Sequence, residues 1–234
     1  MTQPHPVQGD APAVQGDAPA RRGDAPIRLF KSDLLEVFTH VHPVVVAVIW
    51  LPVGAYALVR ALLTPALGAL GIVVGVGAGL LIWTLAEYTL HRFVFHFRPR
   101  APWQERLSFL FHGVHHAQPR CKTRLVMPPA VSLPLSLLFY GLFRLVIGGL
   151  IGAPTWIAPV FAGFTFGYLA YDLTHYATHH FRMQRGYFRM VRRHHMLHHA
   201  KTPNQRFGVS SPLWDLVFGT EPRDAAPAPA GRRA

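Results

Sequence analysis

The sequence predicts an all-α integral membrane protein, with four transmembrane helices in two hairpins and a cytoplasmic helical cap that holds a histidine-rich di-metal site. Three observations lead there. Half of the 234 residues are hydrophobic and only 15% are charged, on the apolar side of globular usage. Of the 23 Lys and Arg, only Arg60 and Arg144 fall inside the long apolar stretches. The histidines cluster between and after those stretches, seven of them in the twenty-five residues from His175 to His199.

From Val7 to Ile27 a seven-residue unit repeats imperfectly, as VQGDAPA, VQGDAPA and RRGDAPI. Gly, Asp, Ala and Pro cannot bury enough apolar surface to offset the cost of ordering, so residues 1–27 read as a disordered tail. A Gly and a Pro in every unit exclude a coiled coil despite the period. No secretory signal is visible in this polar opening, so the first span is expected to act as the insertion signal. Residues 28–42 read as an amphipathic segment lying at the interface, with Ser32 as N-cap. His40 and His42 in it read as ordinary interfacial residues.

Residues 43–220 form the membrane-embedded domain. Pro43 to Leu63 is the first span, with Arg60 near its far end where it can snorkel. After a turn at Thr64 and Pro65, Ala66 to Ala86 is the second, and Gly71, Gly75 and Gly79 give it a small-residue face for close helix packing. Helical character is expected to continue through Glu87, Tyr88, His91 and His96. Residues 97–129 are polar, basic and proline-rich, and lie outside the hydrocarbon. Ala130 to Ile151 and Pro154 to Leu173 make the second hairpin, turned at GGLIGAP. Arg144 inside the third span reads as facing the protein interior. The chain is basic again from His175, and residues 221–234 read as a second disordered tail.

The positive-inside rule then places both termini and every later histidine group on the cytoplasmic side. The net charge of +12 is explained by that placement, and no motif that reads DNA or RNA accompanies it. A nucleic-acid partner is therefore not expected. Cys121 is the only cysteine, which excludes a disulfide framework or a thiolate cage within one chain.

On a helix, positions i, i+3 and i+4 fall at about 0, 300 and 40 degrees and share a face. His112, His115 and His116 have this spacing, as do His195, His198 and His199. His175, His179 and His180 make a wider fan. His91 and His96, five apart, suit either two ligands approaching from different sides or a distorted helix end. These imidazoles are too many for one tetrahedral or octahedral ion, so two metals is the economical count. His194 precedes its group and reads as a contact behind the ligands or at the surface. Imidazole alone does not choose among Zn, Cu, Fe and Ni. The groups lack the Glu of a hydrolytic H-E-x-x-H site and the E-x-x-H of soluble di-iron bundles. An all-nitrogen di-metal centre at a membrane face suits O2 reduction and attack on an unactivated C–H bond of a lipid chain.

The order H-x4-H, H-x2-H-H, H-x3-H-H, H-x2-H-H resembles the fatty acid hydroxylase superfamily, and more narrowly the fatty acid 2-hydroxylases that act on acyl chains and sphingolipids. EYTLHRFVFH (87–96), HGVHHAQP (112–119), RLVMPP (124–129), GYLAYDLTHYATHH (167–180) and FGVSSPLWDLVFGT (207–220) carry the resemblance. It implies His91, His96, His112, His115, His116, His175, His179, His180, His195, His198 and His199 as metal ligands. It implies two iron ions in the active state, with zinc possible in purified protein, O2 as co-substrate and hydroxylation of a lipid acyl chain at C2. The best-studied eukaryotic relatives carry a fused haem-binding electron-transfer domain where this chain has its short repeat, so electrons are expected from a separate electron-transfer protein. In the loop where the family tends to have an acidic residue, this chain has Cys121 among Arg120, Lys122 and Arg124.

Asp172 and Tyr176 are the candidate catalytic residues. Asp172 lies one turn before His175 and Tyr176, placed to accept an imidazole N–H and orient the ring. Glu87, four residues before His91, is placed to do likewise, although capping or ion pairing with a nearby Arg serves equally well for each. Trp214 reads as an interfacial anchor and Asp215 as another group behind the ligands. Within the superfamily the alternative is a carotenoid or sterol C–H hydroxylase or desaturase. Outside it the alternatives are a membrane bis-histidine haem electron carrier, which the H-x2-H-H triplets argue against, and a metal store or transporter, which calls for polar ligands within the spans.

Overall fold

The computed structural model describes residues 26–222. The tails expected at either end lie outside the described residues, apart from residues 26–27 and 221–222. Ile27 is already tied down, its N–H donating to Gln118 Oε1 at 2.9 Å and its carbonyl accepting from Arg124.

The described residues are helical and contain no strand. A short helix, α1 (Asp33–Val37), opens the chain. Ser32 takes the extended N-cap conformation, but its side chain makes no capping bond. Glu36 instead reaches back to accept the N–H groups of Leu29 and Phe30 at 2.9 and 2.8 Å, folding the preceding segment over the helix. The long helix α2 (Pro43–Leu62) begins with Pro at N1 and with His42 Nδ1 accepting from Val44 N–H, a start signal read directly from H-P. The next, α3 (Gly68–Thr89), runs without a break into a π-helical turn, Leu90–Phe95. Three short pieces follow: α4 (Pro102–Ser108), a π-turn at Phe109–Gly113, and α5 (Val114–Ala117). Then come α6 (Pro129–Phe143) with its π-helical extension Arg144–Leu150, the 3-10 turn Pro154–Trp156 and α7 (Ile157–His180). The basic α8 (Gly186–Ala200) and the short α9 (Leu213–Val217) are the last helices among the described residues.

Among the described residues, three helical segments are long and apolar enough to cross a membrane: Pro43–Leu62, Gly68–Phe95 and Pro129–Leu150. Their outer faces expose large apolar side chains such as Leu70 and Leu137, as lipid-facing surfaces do. The expected fourth span, α7, has 24 residues and is long enough, but it is not among those three. It is the central helix, packed against both α2 and α3, and its neighbours cover the polar residues that a lipid-facing helix would have to avoid.

The two-hairpin arrangement expected from the sequence is therefore not the way the helices pack. Although α2 and α3 are joined by a tight turn, each touches α7 far more than it touches the other. Small residues cause this. A Cβ at Gly79 would lie 2.0 Å from the carbonyl oxygen of Val160, and one at Gly163 would lie 2.0 Å from that of Val76. Gly75 and Gly167 make similar room for Pro159 and Trp83. Trp50, Trp83, Phe164 and Tyr168 then fill the centre with edge-on ring contacts at 5.1 to 5.3 Å. Arg144 does not face the interior as expected. It begins the π-helical stretch of the third apolar segment and is exposed.

Candidate metal centre

All four histidine groups converge at one end of the bundle, where ten imidazoles form two pentads. His91, His96, His112, His116 and His198 make one, and His115, His175, His179, His195 and His199 the other, with ligand atoms within 4.8 Å of one another. Local helix geometry does the sorting. The i, i+4 pairs 112/116, 175/179 and 195/199 each serve one pentad, while the i+3 residues His115 and His198 cross to the other. His91 and His96 reach the same pentad because the π-turn closes from His96 N–H to the His91 carbonyl at 3.0 Å, so residues five apart point one way. Of the two sequence readings, the distorted helix end is the one observed.

Within the pentads, Nε2 atoms face each other at short range. The separations are 3.0 Å for His91 and His112, 3.1 Å for His96 and His198, and 3.0 Å for His115 with both His175 and His199. His195 lies 2.8 Å from His179 and 3.1 Å from His199. Nitrogens about 2.1 Å from a shared ion stand about 3.0 Å apart at right angles and about 3.4 Å apart in a tetrahedron. The observed edges fall in the range expected of nitrogens around a shared ion, so the residues of each set fit a bound metal. A haem with two axial imidazoles would need its ligands on opposite faces of a wide ring, and these clustered nitrogens leave no space for one.

Protonation favours the same conclusion. Nδ1 of His91 donates to the Phe207 carbonyl at 2.5 Å, and Nδ1 of His198 to that of Gln205 at 2.7 Å. In the neutral ring this turns the Nε2 lone pair toward the cluster. Burial, reinforced by neighbouring histidines, pushes His96 down to about 3 and His198 to about 4, the latter against the raising effect of its hydrogen bond to the Gln205 carbonyl. The same causes hold His112, His115, His116, His195 and His199 below the ordinary histidine value. At neutral pH these rings present lone pairs to one another, an arrangement that a cation between them resolves.

His180 is the one predicted ligand outside both pentads. Its ring tilts over Tyr176 at 4.5 Å, and Tyr176 packs at the edge of the apolar core. Asp172 does not take an imidazole N–H. Its carboxylate accepts from Met127 N–H at 3.1 and 3.2 Å and from the Tyr168 hydroxyl at 3.0 Å. Glu87 likewise does not touch His91. It accepts the N–H groups of Val209 and Ser210 at 2.6 and 2.7 Å, together with the Ser210 hydroxyl. His194 sits behind the ligands, its Nε2 3.1 Å from Asp215 and its Nδ1 3.0 Å from Glu221. Trp214 is anchored to protein, donating to Thr84 Oγ1 at 2.9 Å.

A cavity of about 330 Å3, lined mainly by apolar residues, reaches both pentads. His112 belongs to the first pentad and His115 and His175 to the second, and all three form part of its wall. Leu29, Phe30, Leu35 and Phe38 line one side, and Tyr171, stacked on His175, lines it as well, whereas Tyr176 is not among the lining residues. Arg124 fixes the closing segment by donating to Glu36, to the Ile27 carbonyl and to His40 Nε2. The sequence reading missed Arg124, Tyr171 and the backbone carbonyls of Gln205 and Phe207. RLVMPP contains Arg124, GYLAYDLTHYATHH contains Tyr171 and the closing FGVSSPLWD run begins at Phe207, but none of these runs disclosed the contacts themselves.

A family model described as fatty acid hydroxylase matches residues 76–220. A dihydroceramide fatty acyl 2-hydroxylase of Arabidopsis thaliana is 37% identical, over 83% of this chain and 80% of the relative. The ceramide very long chain fatty acid hydroxylase of Schizosaccharomyces pombe is 38% identical, over 81% of this chain and 54% of the relative. The fatty acid 2-hydroxylase of Rattus norvegicus is 35% identical, over 86% and 58%. A solved structure of full-length scs7p, in which only the hydroxylase domain is visible, superposes with a TM-score of 0.73 at 38% identity, covering 80% of this chain and 69% of that one.

Proposed function

The chain belongs to the fatty acid hydroxylase family, and from that premise we propose that it is a membrane-bound, O2-dependent hydroxylase of lipid acyl chains, acting at C2. The observation that carries the reading is the pair of imidazole pentads opening on an apolar cavity. Relatives named as fatty acid and dihydroceramide 2-hydroxylases support the position of attack.

Ten histidines, five in each pentad, would hold two irons, and zinc fits the same nitrogens. Iron so held would supply the redox chemistry that, with two electrons from a separate electron-transfer protein and two protons, divides O2 between the new hydroxyl and water. The chain itself does the rest. His91 and His198 are kept in one tautomer by backbone carbonyls. The cavity wall from Phe30 to Phe38 excludes water and lays an acyl chain across His112, His115 and His175. Asp172, bonded to Tyr168 and to Met127 N–H, keeps that wall in register. His180 and Tyr176 support the end of α7 from outside the centre.

The same reading takes α7 as the fourth span and places both termini and the histidine cap on the cytoplasmic side, with Lys and Arg concentrated beside the cap in support. Expression in a host lacking 2-hydroxy lipids, followed by mass spectrometry of released acyl chains, tests the function. The 2-hydroxy acids accumulate with the wild-type chain and are absent with His115→Ala. Hydroxylated carotenoids or sterols, with acyl chains unchanged, would refute the substrate.

A further inference from the structure

We propose that Asp215 and Glu87 are positioning residues for one pentad, acting on His91 and His198 through the loop of residues 205–210. The inference rests on the reading that the pentads hold metal, and adds which residues govern retention at one of them.

The loop has no ligand of its own, yet its carbonyls at Gln205 and Phe207 receive Nδ1 of His198 and His91, and both rings serve the same pentad. Its conformation is imposed. Arg206, between those carbonyls, has φ of 59°, a left-handed value that a non-glycine residue adopts only when its surroundings require it. Two buried carboxylates supply the requirement. Asp215 accepts Phe207 N–H and the Thr220 hydroxyl on Oδ1, and Gly208 N–H on Oδ2, where His194 also lies. Glu87, from α3, accepts the next two N–H groups, those of Val209 and Ser210. A Cβ at Gly208 would lie 2.0 Å from the Ser211 carbonyl oxygen, so the loop is wound too tightly for a side chain there. Four consecutive N–H groups, 207 to 210, are thus held by carboxylates from two helices, and the Phe207 and Gln205 carbonyls are thereby aimed at His91 and His198.

The two carboxylates differ in which substitutions they tolerate. Asparagine at 215 must place its NH2 against the N–H of either Phe207 or Gly208, so the loop is released in either orientation. Glutamine at 87 keeps its oxygen on Val209 and Ser210 and turns its NH2 to a hydroxyl that can accept.

The test is metal content and chelator-driven release, measured on full-length protein in detergent or nanodiscs. Wild type holds two ions per chain; fewer would defeat the metal reading itself, before any variant is compared. Asp215→Asn and Glu87→Ala hold about one ion, or release one of the two roughly 10- to 100-fold faster, while Glu87→Gln behaves as wild type. Adding His198→Ala to Asp215→Asn costs no further ion, and adding His199→Ala leaves essentially none. Retention of both ions at the wild-type rate in Asp215→Asn overturns the proposal. Parallel loss of both ions in that variant also overturns it, because it marks a general structural role.

Discussion

An imidazole offers two nitrogens, and in the centre one turns toward the cluster while the other is free for support. His179 and His180 show how closely position decides the difference. They are adjacent on α7, but only His179 turns inward, 2.8 Å from His195, while His180 packs on Tyr176. His180→Ala is therefore expected to keep two ions per chain, and His179→Ala to lose one, as read by elemental analysis of purified protein. The sequence made three of the four histidine groups legible because three- and four-residue spacings share a helix face. It did not reveal that i+3 and i+4 residues serve different pentads, because that depends on where the facing helices stand. The H-H pairs at 115/116 and 198/199 are each divided between the pentads, whereas the pair at 179/180 stands at i+4 and i+5 from His175, which turns His180 away from the face that His175 and His179 share.

At the level of elements, the apolar lengths and the glycine face of α3 were readable, whereas the partner of that face was not. The sequence expected that face to pack closely against a neighbour and did not say which. Gly163 and Gly167 on α7 complete the contact; they share the four-residue spacing of the α3 face, but with Phe164 and Phe166 between them they did not single out α7 as its partner. Gly163→Ala places a methyl against the Val76 carbonyl, where backbone cannot yield, and is expected to cost about 1–3 kcal/mol. Gly77→Ala meets nothing within 4 Å and is expected to stabilise by about 0.5–1 kcal/mol, by restricting the unfolded chain. Thermal melts of the two variants in one detergent check the contrast; equal losses would mean that α3 and α7 do not pack this closely. The π-turn at Leu90–Phe95 was visible only as an awkward five-residue interval, and it became interpretable once the turn was seen to bring His91 and His96 together.

For the molecule as a whole, the histidine cap couples stability to pH. Unfolded histidines titrate near the ordinary value of 6.5, while folded His96 and His198 do so at about 3 and about 4. Below 6.5 the unfolded chain binds more protons than the folded one, so stability falls as pH falls, and the loss continues until the folded values are reached. Metal-free protein is expected to melt at progressively lower temperature as pH drops from about 7 to about 5. A melting temperature that stays flat or rises over that interval would mean that the cap is solvated. Asp215 adds to the loss at more acid pH. Burial alone would raise it, but hydrogen bonds from His194, Thr220, Gly208 and Phe207 hold it below the ordinary carboxylate value. Its contribution is therefore present above that value and disappears as pH falls through the folded one. The overall charge pattern and the alternation of apolar and histidine-bearing stretches were enough to predict a membrane protein with one chemical end. The cavity was not foreseeable, because its wall joins residues 29–39 to Leu110, Val131 and Tyr171, and only the tertiary fold brings these together.

The most direct measurement supplies iron-loaded protein in nanodiscs with a chemical reductant, an acyl lipid and heavy-isotope O2, and determines the product by mass spectrometry. The account predicts a 2-hydroxyacyl product carrying one heavy oxygen, formed only when both pentads hold metal. Absence of any hydroxylated acyl product from protein shown to contain two irons, or a hydroxyl whose oxygen comes from water, would contradict it.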